Sequence, residues 1–476
     1  MKKRSDDKKW YKLDNAAKII PSSARGADTR VFRICCELKE AVEAGILQTA
    51  HDEVKDEFPM LRCVLKRGFF WYYLEESDFS LRVEEDHLPA CAPIYYPGRV
   101  NLLYRVTYYG RRINLEMFHV LSDGTGGFVF LKKLVTRYLE LKHGISADWH
   151  EEEKSSVSEK QDDAFEQYFS RQKLGDQLKQ LGRISVGRAH QIRGDFDENL
   201  LPHLLEGAVS AKKIVTLAKE NGTTVGVYTT SLYIQSVIDS MSLREKMSPI
   251  VVSVPVNLRQ FFRSDTTRNF FGVITVVFYP KQYNGSIASI IEVVKKEYDE
   301  QLREDKVEQL MNTYASFENH IAIKMVPIWV KDMVIGFFNT KSKQGITGTL
   351  SNLGRIDMPE KVAAYIDRFS AFMAAPSQQI CISSFGDRMV FGEVSPYASH
   401  DVMMYFFRRL VKLGVEVELS TNDYDTHPDN TRREKRVSEG AGVRKKKKEK
   451  QTAKEKRIRD RTGKDKENKD ELLSQV

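Results

Sequence analysis

Hydrophobic and polar positions along this chain alternate between two periods, and the changes of period mark out its elements. The runs VNLLYRVTYYG and RRINLEMFHV have the β-branched and aromatic bias of strands and meet at Gly110, which predicts a hairpin. GGFVFLKKLVTRYLEL then places Phe128, Leu131, Leu134, Val135 and Tyr138 at helical spacing, with Lys132, Lys133, Arg137 and Glu140 on the opposite face. One side of that helix is expected on a sheet and the other in water. Farther on, SAKKIVTLAKENG offers Ser210 as an N-cap and Gly222 as a stop, and TTVGVYTTSLYIQSVIDSM repeats the design from Thr223 or Thr224. Five strand-like runs follow, IVVSVPVNLR, NFFGVITVVFY, QGITGTLSNLG, QQICISSFGD and RMVFGEVS, bounded by Gly, Pro or Asn. SHDVMMYFFRRLVKLG reads as a helix capped at Ser399 and ended at Gly414, with VEVEL as a last strand. Helices and strands mix in both halves, so the class is α/β (α+β) in two lobes.

A length of 476 residues fits that count of lobes. Between Gly144 and about Leu200 the periodicity weakens, and residues 148–166 hold eight acids against two lysines, which marks a linker. The chain thus divides into a first lobe at 1–143, an acidic crossover at 144–200, a second lobe at 201–424 and a tail at 425–476. Charge changes the picture of the last part. The whole chain carries +8, but residues 431–476 hold 18 Lys+Arg against 9 Asp+Glu, which leaves −1 for residues 1–430. A basic character confined to a stretch with few apolar residues argues against a nucleic-acid-binding body, and for a disordered tail that cannot offset its own ordering entropy. Two readings of the tail stand: contact with nucleic acid, an anionic membrane or an acidic partner, or simple solvation.

No run of 18 apolar residues occurs, and MKKRSDDKKW leads into neither a hydrophobic h-region nor a cleavage site. The expectation is a soluble, cytoplasmic protein with no transmembrane segment. Cys35, Cys36, Cys63, Cys91 and Cys381 show no CxxC spacing, so neither a disulfide framework nor a metal site is indicated, and the thiols should be reduced and mostly buried.

The candidate chemistry lies in INLEMFHVLSDGTGG. Ile113, Leu115, Met117 and His119 share one parity of the strand, so His119 points with the apolar side chains at a strand end, ahead of a glycine-containing turn into a helix. Position alone supports either a catalytic imidazole or a core histidine bonded to a backbone carbonyl. With Asp123 and Gly124 it forms an HxxxDG pattern, placed between a strand and an amphipathic helix as a structural motif requires. A Walker loop is absent, and Val129 stands where GxGxxG needs its last glycine, which disfavours nucleotide phosphate binding. Ser351 and Asn352 in TLSNLG are candidate oxyanion or carbonyl contacts, or else turn residues bonding their own backbone.

These residues resemble the chloramphenicol acetyltransferase-like superfamily, which includes peptide-synthetase condensation domains, wax ester synthases and alcohol acetyltransferases; the chain looks most like bacterial alcohol acetyltransferase-type proteins. The likeness extends to FPMLR at 58–62, PVNLRQFF with RNFFG at 255–272, GTLSNLGRIDMP at 348–359 and the closing LVKLGVEVEL. It spans most of residues 10–420 and leaves out the tail. The resemblance implies two chloramphenicol-acetyltransferase-like lobes, each a mixed sheet with packed helices, around a central channel. It also implies transfer of an acyl group, acetyl foremost, from a coenzyme A thioester to an alcohol or amine. Acyl-CoA would be a cosubstrate, with no bound cofactor, and His119 the general base, with no covalent intermediate.

By the same resemblance Asp123 is structural, ion-paired with Arg62 of FPMLR. Gly124, Gly126 and Gly127 provide either backbone conformations or a close approach that a Cβ would block. Arg259 and Asn269 are candidates for lobe contacts or for the donor's phosphates, with an inter-strand salt bridge as the alternative for Arg259. Phe69, Phe70, Trp71 and the stretch MVPIWVKDMVIGFF either line an acyl pocket or, for most of them, pack in the core. Phe118 stands where condensation domains double the histidine, and the DFGWG signature of plant acyltransferases is missing. Transfer from a carrier protein therefore ranks behind ester or simple amide formation. A non-catalytic binding or regulatory protein on the same scaffold, using the basic tail, is the alternative function.

Overall fold

The computed structural model describes residues 8–147, 188–196, 201–262, 264, 266–319, 325–374 and 377–422. The expected basic tail and most of the acidic crossover lie outside the described residues. In the first stretch the strands are β1 (Trp10–Lys12), β2 (Val31–Leu38), β3 (Cys63–Arg67), β4 (Tyr72–Glu76), β5 (Glu84–Glu85), β6 (Tyr104–Tyr109) and β7 (Arg112–Phe118). The later stretches add β8 (His203–Ser210), β9 (Ile250–Asn257), β10 (Phe271–Phe278), β11 (Gly348–Arg355), β12 (Ile366–Met373), β13 (Gln379–Phe385), β14 (Arg388–Ser395) and β15 (Val417–Thr421). They form a small sheet β1-β4-β3, a five-stranded sheet β12-β2-β7-β6-β5 and a seven-stranded sheet β10-β9-β11-β13-β14-β8-β15.

The hairpin expected at Gly110 is present, with Tyr109 opposite Arg112 and Gly110 in the left-handed region at φ +56°. The polar parity of β7 departs from a solvated face: Asn114 and Glu116 are each 1% exposed. The cause is position, because β7 lies between β2 and β6. A carboxylate there needs partners, and Glu116 accepts from Arg33 Nε at 2.7 Å and from the Cys91 N–H at 2.6 Å. The helix Gly124–His143 buries Leu131, Leu134, Val135 and Tyr138, while Lys133 and Arg137 on its far side pair with Glu57 and Glu53.

In the second lobe Ser210 and Thr224 cap their helices by accepting the Lys213 and Val227 N–H groups. The helix expected from Ser399 begins at Asp401, with His400 at the cap position and the Ser399 hydroxyl on the Asp401 carboxylate. β8 and β12 of this lobe, like β2 of the first, escape the sequence pattern because nearly every residue in them is buried, which erases period-two alternation. The five cysteines are free thiols and buried. No described helix is long and apolar enough to cross a membrane.

β12 also changes what a lobe is. It belongs to the second half of the chain yet completes the first lobe's sheet, pairing antiparallel with β2 so that Phe369 faces Cys36. Its other side meets the seven-stranded sheet: the Ser383 hydroxyl donates to the Phe369 carbonyl at 2.9 Å. An ion network, buried at Glu37, Glu206 and Arg368, crosses at the same place. Arg112 reaches Glu37 at 2.8 Å and Glu206 at 3.0 Å, and Arg368 reaches Glu206 at 3.2 Å and Glu418 at 2.7 Å. The sheets touch backbone to backbone at Gly392, where a Cβ would stand 2.2 Å from the Ala371 carbonyl oxygen. Gly392→Ala must therefore push β12 and β14 apart, with an expected loss of about 1–3 kcal/mol in the stability read from urea denaturation.

Candidate active site

His119 follows the last residue of β7, and its backbone is held from two sides. Its N–H donates to the Arg30 carbonyl at 2.9 Å, and its own carbonyl accepts from Asn269 Nδ2 at 3.0 Å. The partly buried ring stands between Phe32 of β2 at 5.4 Å and Phe271 of β10 at 5.6 Å. Its Nδ1 lies 2.9 Å from Asn269 Oδ1.

The proton on this ring can be located from the amide. Asn269 Nδ2 serves the His119 carbonyl and, at 3.1 Å, Asp14 Oδ2, both of which only accept. Turning the amide over would set its oxygen against two acceptors. Oδ1 is therefore the acceptor for the ring, Nδ1 carries the proton, and the neutral imidazole keeps its lone pair on Nε2. No hydrogen bond among the described residues occupies Nε2, and the ring lines a cavity of about 710 Å³. Asp14, itself buried, accepts the Ala17 N–H at 2.7 Å and lies 3.7 Å from Arg268 Nε. Burial holds the His119 imidazole below its ordinary value near 6.5; the Asp123 charge and the bond to Asn269 oppose the shift, and the Arg30 charge adds to it.

Asp123 caps the helix Gly124–His143 through Oδ1, which accepts the Gly126 N–H at 2.9 Å. Oδ2 accepts from Arg259 Nη1 at 2.8 Å and from the Phe270 N–H at 2.9 Å. The arginine paired with Asp123 is thus Arg259 of the second lobe, not Arg62. The Arg62 side chain is 43% exposed and lies 3.9 Å from Asp56, in the turn that precedes β3. It ends the short 3₁₀ turn Pro59–Arg62, whose other three residues are buried, whereas Arg259 sits in the 3₁₀ turn Leu258–Gln260 that follows β9 and faces the motif.

Arg259 spends its remaining donors on the Thr266 and Arg268 carbonyls, at 2.9 and 2.7 Å, so it is committed to shaping that loop. Neither Arg259 nor Asn269 lines the cavity; both stand behind it. Close approach is stricter at Gly126 than at Gly124: a Cβ at Gly126 would stand 2.1 Å from the Thr267 carbonyl oxygen, whereas one at Gly124 would meet only the end of the Leu353 side chain at 2.8 Å.

The cavity takes Phe32 and Ile34 from β2, Phe271 and Val273 from β10, and Ser351 and Asn352 from β11. Ser351 is partly buried. Asn352 is exposed and its Oδ1 accepts the Gly354 N–H at 3.0 Å, so it is a turn residue bonding its own backbone. Phe69 and Phe70 are not core residues: they sit between β3 and β4 and are 70% and 37% exposed. Trp71 is covered by the Lys331 ammonium at 3.3 Å from the ring centre. From the helix Ile328–Lys343, Val334 and Ile335 line the cavity while Trp329 and Met333 face outward. Asp14 and the positioning role of Asn269 were invisible in the sequence, since 150 residues separate Asn269 from His119 and neither belongs to a local pattern. Among the described residues no group of three or more His, Cys, Asp or Glu could hold a metal ion.

Two measurements follow from this geometry. Asp123→Ala leaves Arg259 charged, buried and uncompensated, with an expected cost of about 3–5 kcal/mol in urea denaturation, whereas Arg62→Ala should change stability by less than about 1 kcal/mol. Asn269→Ala releases the ring, and ¹⁵N chemical shifts of His119 should move from a single Nδ1–H tautomer towards a mixture; an unchanged spectrum would contradict the assignment of the proton.

No protein-family model and no curated protein matches this chain. Solved structures do. TRI3, a trichothecene 15-O-acetyltransferase from Fusarium sporotrichioides, matches with a TM-score of 0.59 and 13% identity, covering 85% of this chain and 94% of that one. TRI101 of F. graminearum, complexed with ethyl coenzyme A, matches with a TM-score of 0.58 and 8% identity over 86% of this chain and all of that one, 100%. A variant of the starter condensation domain of rhizomide synthetase, in complex with C8-CoA, gives 0.58 and 12% identity over 85% and 93%. The described chain has the two-lobed fold of these condensation domains and acetyltransferases.

Proposed function

We propose that this chain is an acyltransferase that moves an acyl group from a coenzyme A thioester to a hydroxyl or amine, with His119 as general base. The observation that carries the reading is the state of the imidazole: Nδ1 is held by Asn269, and the Nε2 lone pair remains available on a ring that lines the cavity between the lobes. In the reaction Nε2 takes the acceptor's proton as its oxygen or nitrogen attacks the thioester carbonyl. The tetrahedral intermediate then expels the thiolate, the C–S bond breaks, and the proton on Nε2 passes to the sulfur. No side chain needs to be acylated. Ser351 is the candidate donor to the oxyanion. A cavity of about 710 Å³ with largely apolar walls suits an acyl chain and a small acceptor beside a pantetheine arm. Two of the structural neighbours carry coenzyme A derivatives in their complexes, which supports a coenzyme A donor; acetyl is the first acyl group to try.

The test is release of free thiol from acetyl-CoA and longer acyl-CoAs in the presence of a panel of alcohols and amines. His119→Ala should lower kcat/KM by about 10²–10⁴-fold with folding unchanged. The base works in its neutral form, and burial depresses its pKa. kcat/KM should therefore stay level as pH falls from about 8 to the ordinary histidine value near 6.5 and drop only below it. Full activity in His119→Ala would overturn the reading.

A further inference from the structure

Among the described residues the charges that line the cavity do not balance. Asp123 is paired with Arg259, and Arg33 is paired with Asp86 and Glu116. That leaves Arg30, Lys343 and Asp28. Asp28 is 1% exposed; Arg30 Nε lies 3.0 Å from its Oδ1, and Lys343 Nζ 3.5 Å from its Oδ2. One carboxylate behind two cations leaves one positive charge, in a cavity otherwise walled mainly by apolar and neutral groups.

The two cations come from opposite lobes and are partly exposed, whereas Asp28, on the same wall of the cavity, is almost wholly covered. Arg30 has donors to spare. Its Nη2 reaches Asn339 Oδ1 only at 3.3 Å, while its buried Nε faces Asp28. Arg30 also holds a positive φ of 55°, a backbone conformation that costs free energy for a residue with a side chain and persists only where its surroundings impose it.

We propose, resting on the acyl-transfer reading above, that Arg30 and Lys343 form a subsite for a carboxylate carried by the acceptor, so that the molecule acylated here is a hydroxy acid or an amino acid. The place of the subsite sets which substrate it reads. The Arg30 carbonyl accepts the His119 N–H, and the Arg30 charge acts on the His119 imidazole, so this cation lies on the reacting centre's side of the cavity. The phosphates of a coenzyme A thioester are a whole pantetheine arm away from the carbonyl under attack. A guanidinium with an adjacent ammonium suits a carboxylate, which accepts two donors at once.

The test is calorimetric titration of the full chain, without acyl donor, using ω-hydroxycarboxylates of increasing chain length, each beside the diol of the same length. The expected result is tighter binding of the acid than of its diol at one or more lengths. Arg30→Gln and Lys343→Gln should each weaken the acid about tenfold or more and leave the diol unaffected; the second variant keeps the test open if the first fails to fold. Equal binding of acid and diol at every length overturns the proposal. So does a loss in the variants that falls on coenzyme A rather than on the acid, since the cations would then serve the donor. Because no turnover is needed, and His119→Ala can be titrated in the same way, the subsite can fail while acyl transfer stands, and the reverse.

Discussion

One carboxylate, that of Asp123, holds the two lobes in the relation on which the site depends. It serves the first turn of the Gly124–His143 helix with one oxygen, and with the other it binds both the Arg259 guanidinium and the Phe270 N–H of the second lobe. Phe270 is the neighbour of Asn269, the residue that orients the His119 ring. The interaction that shapes the turn after His119 therefore also fixes the amide that decides where the ring carries its proton. The Ser122 hydroxyl on the Thr267 carbonyl, at 2.6 Å, closes the same seam.

The seam tolerates little substitution because it combines buried charge with backbone packed on backbone. Gly126 leaves no room for a Cβ against Thr267, so the helix start and the crossing loop touch directly. Arg259 and Asp123 each keep most of their surface from water, and a charge so placed is stable only with its partners present. The network of Arg112, Glu37, Glu206 and Arg368 repeats this logic where β2 and β12 meet the seven-stranded sheet. Such pairs contribute less to net stability than equally well-packed apolar groups would, but they are satisfied in one arrangement of the sheets.

A hydrogen-bonded chain links that seam to the cavity. Asp14 accepts from Asn269, Asn269 accepts from His119, and the ring's other nitrogen is left to the open space. Burial then keeps the ring neutral near pH 7, the state in which an imidazole can accept a proton. The same cavity brings together side chains from β2, β10, β11 and β12 with the Ile328–Lys343 helix, segments spread over most of the described chain. The site thus exists only when the two lobes are docked.

Local patterns in the sequence determined the elements whose periodicity is visible: the β6–β7 hairpin, the amphipathic helix after Asp123, the capped helices at Ser210 and Thr224, and the strands from β9 to β11 and β13 to β15. They also marked His119, Asp123 and Gly124, because strand end, cap and helix start are neighbours along the chain and obey short-range rules. The fully buried strands β8 and β12 carry no alternation to read, and Phe69 and Phe70 look like core residues until their place between two strands is known. Which arginine meets Asp123, which amide holds His119 and which charges stay unbalanced in the cavity were decided by tertiary structure alone. The first two of those contacts join residues 136 and 150 positions apart, and the third brings Lys343 to a carboxylate near the start of the chain; only the docking of the lobes puts any of them within reach.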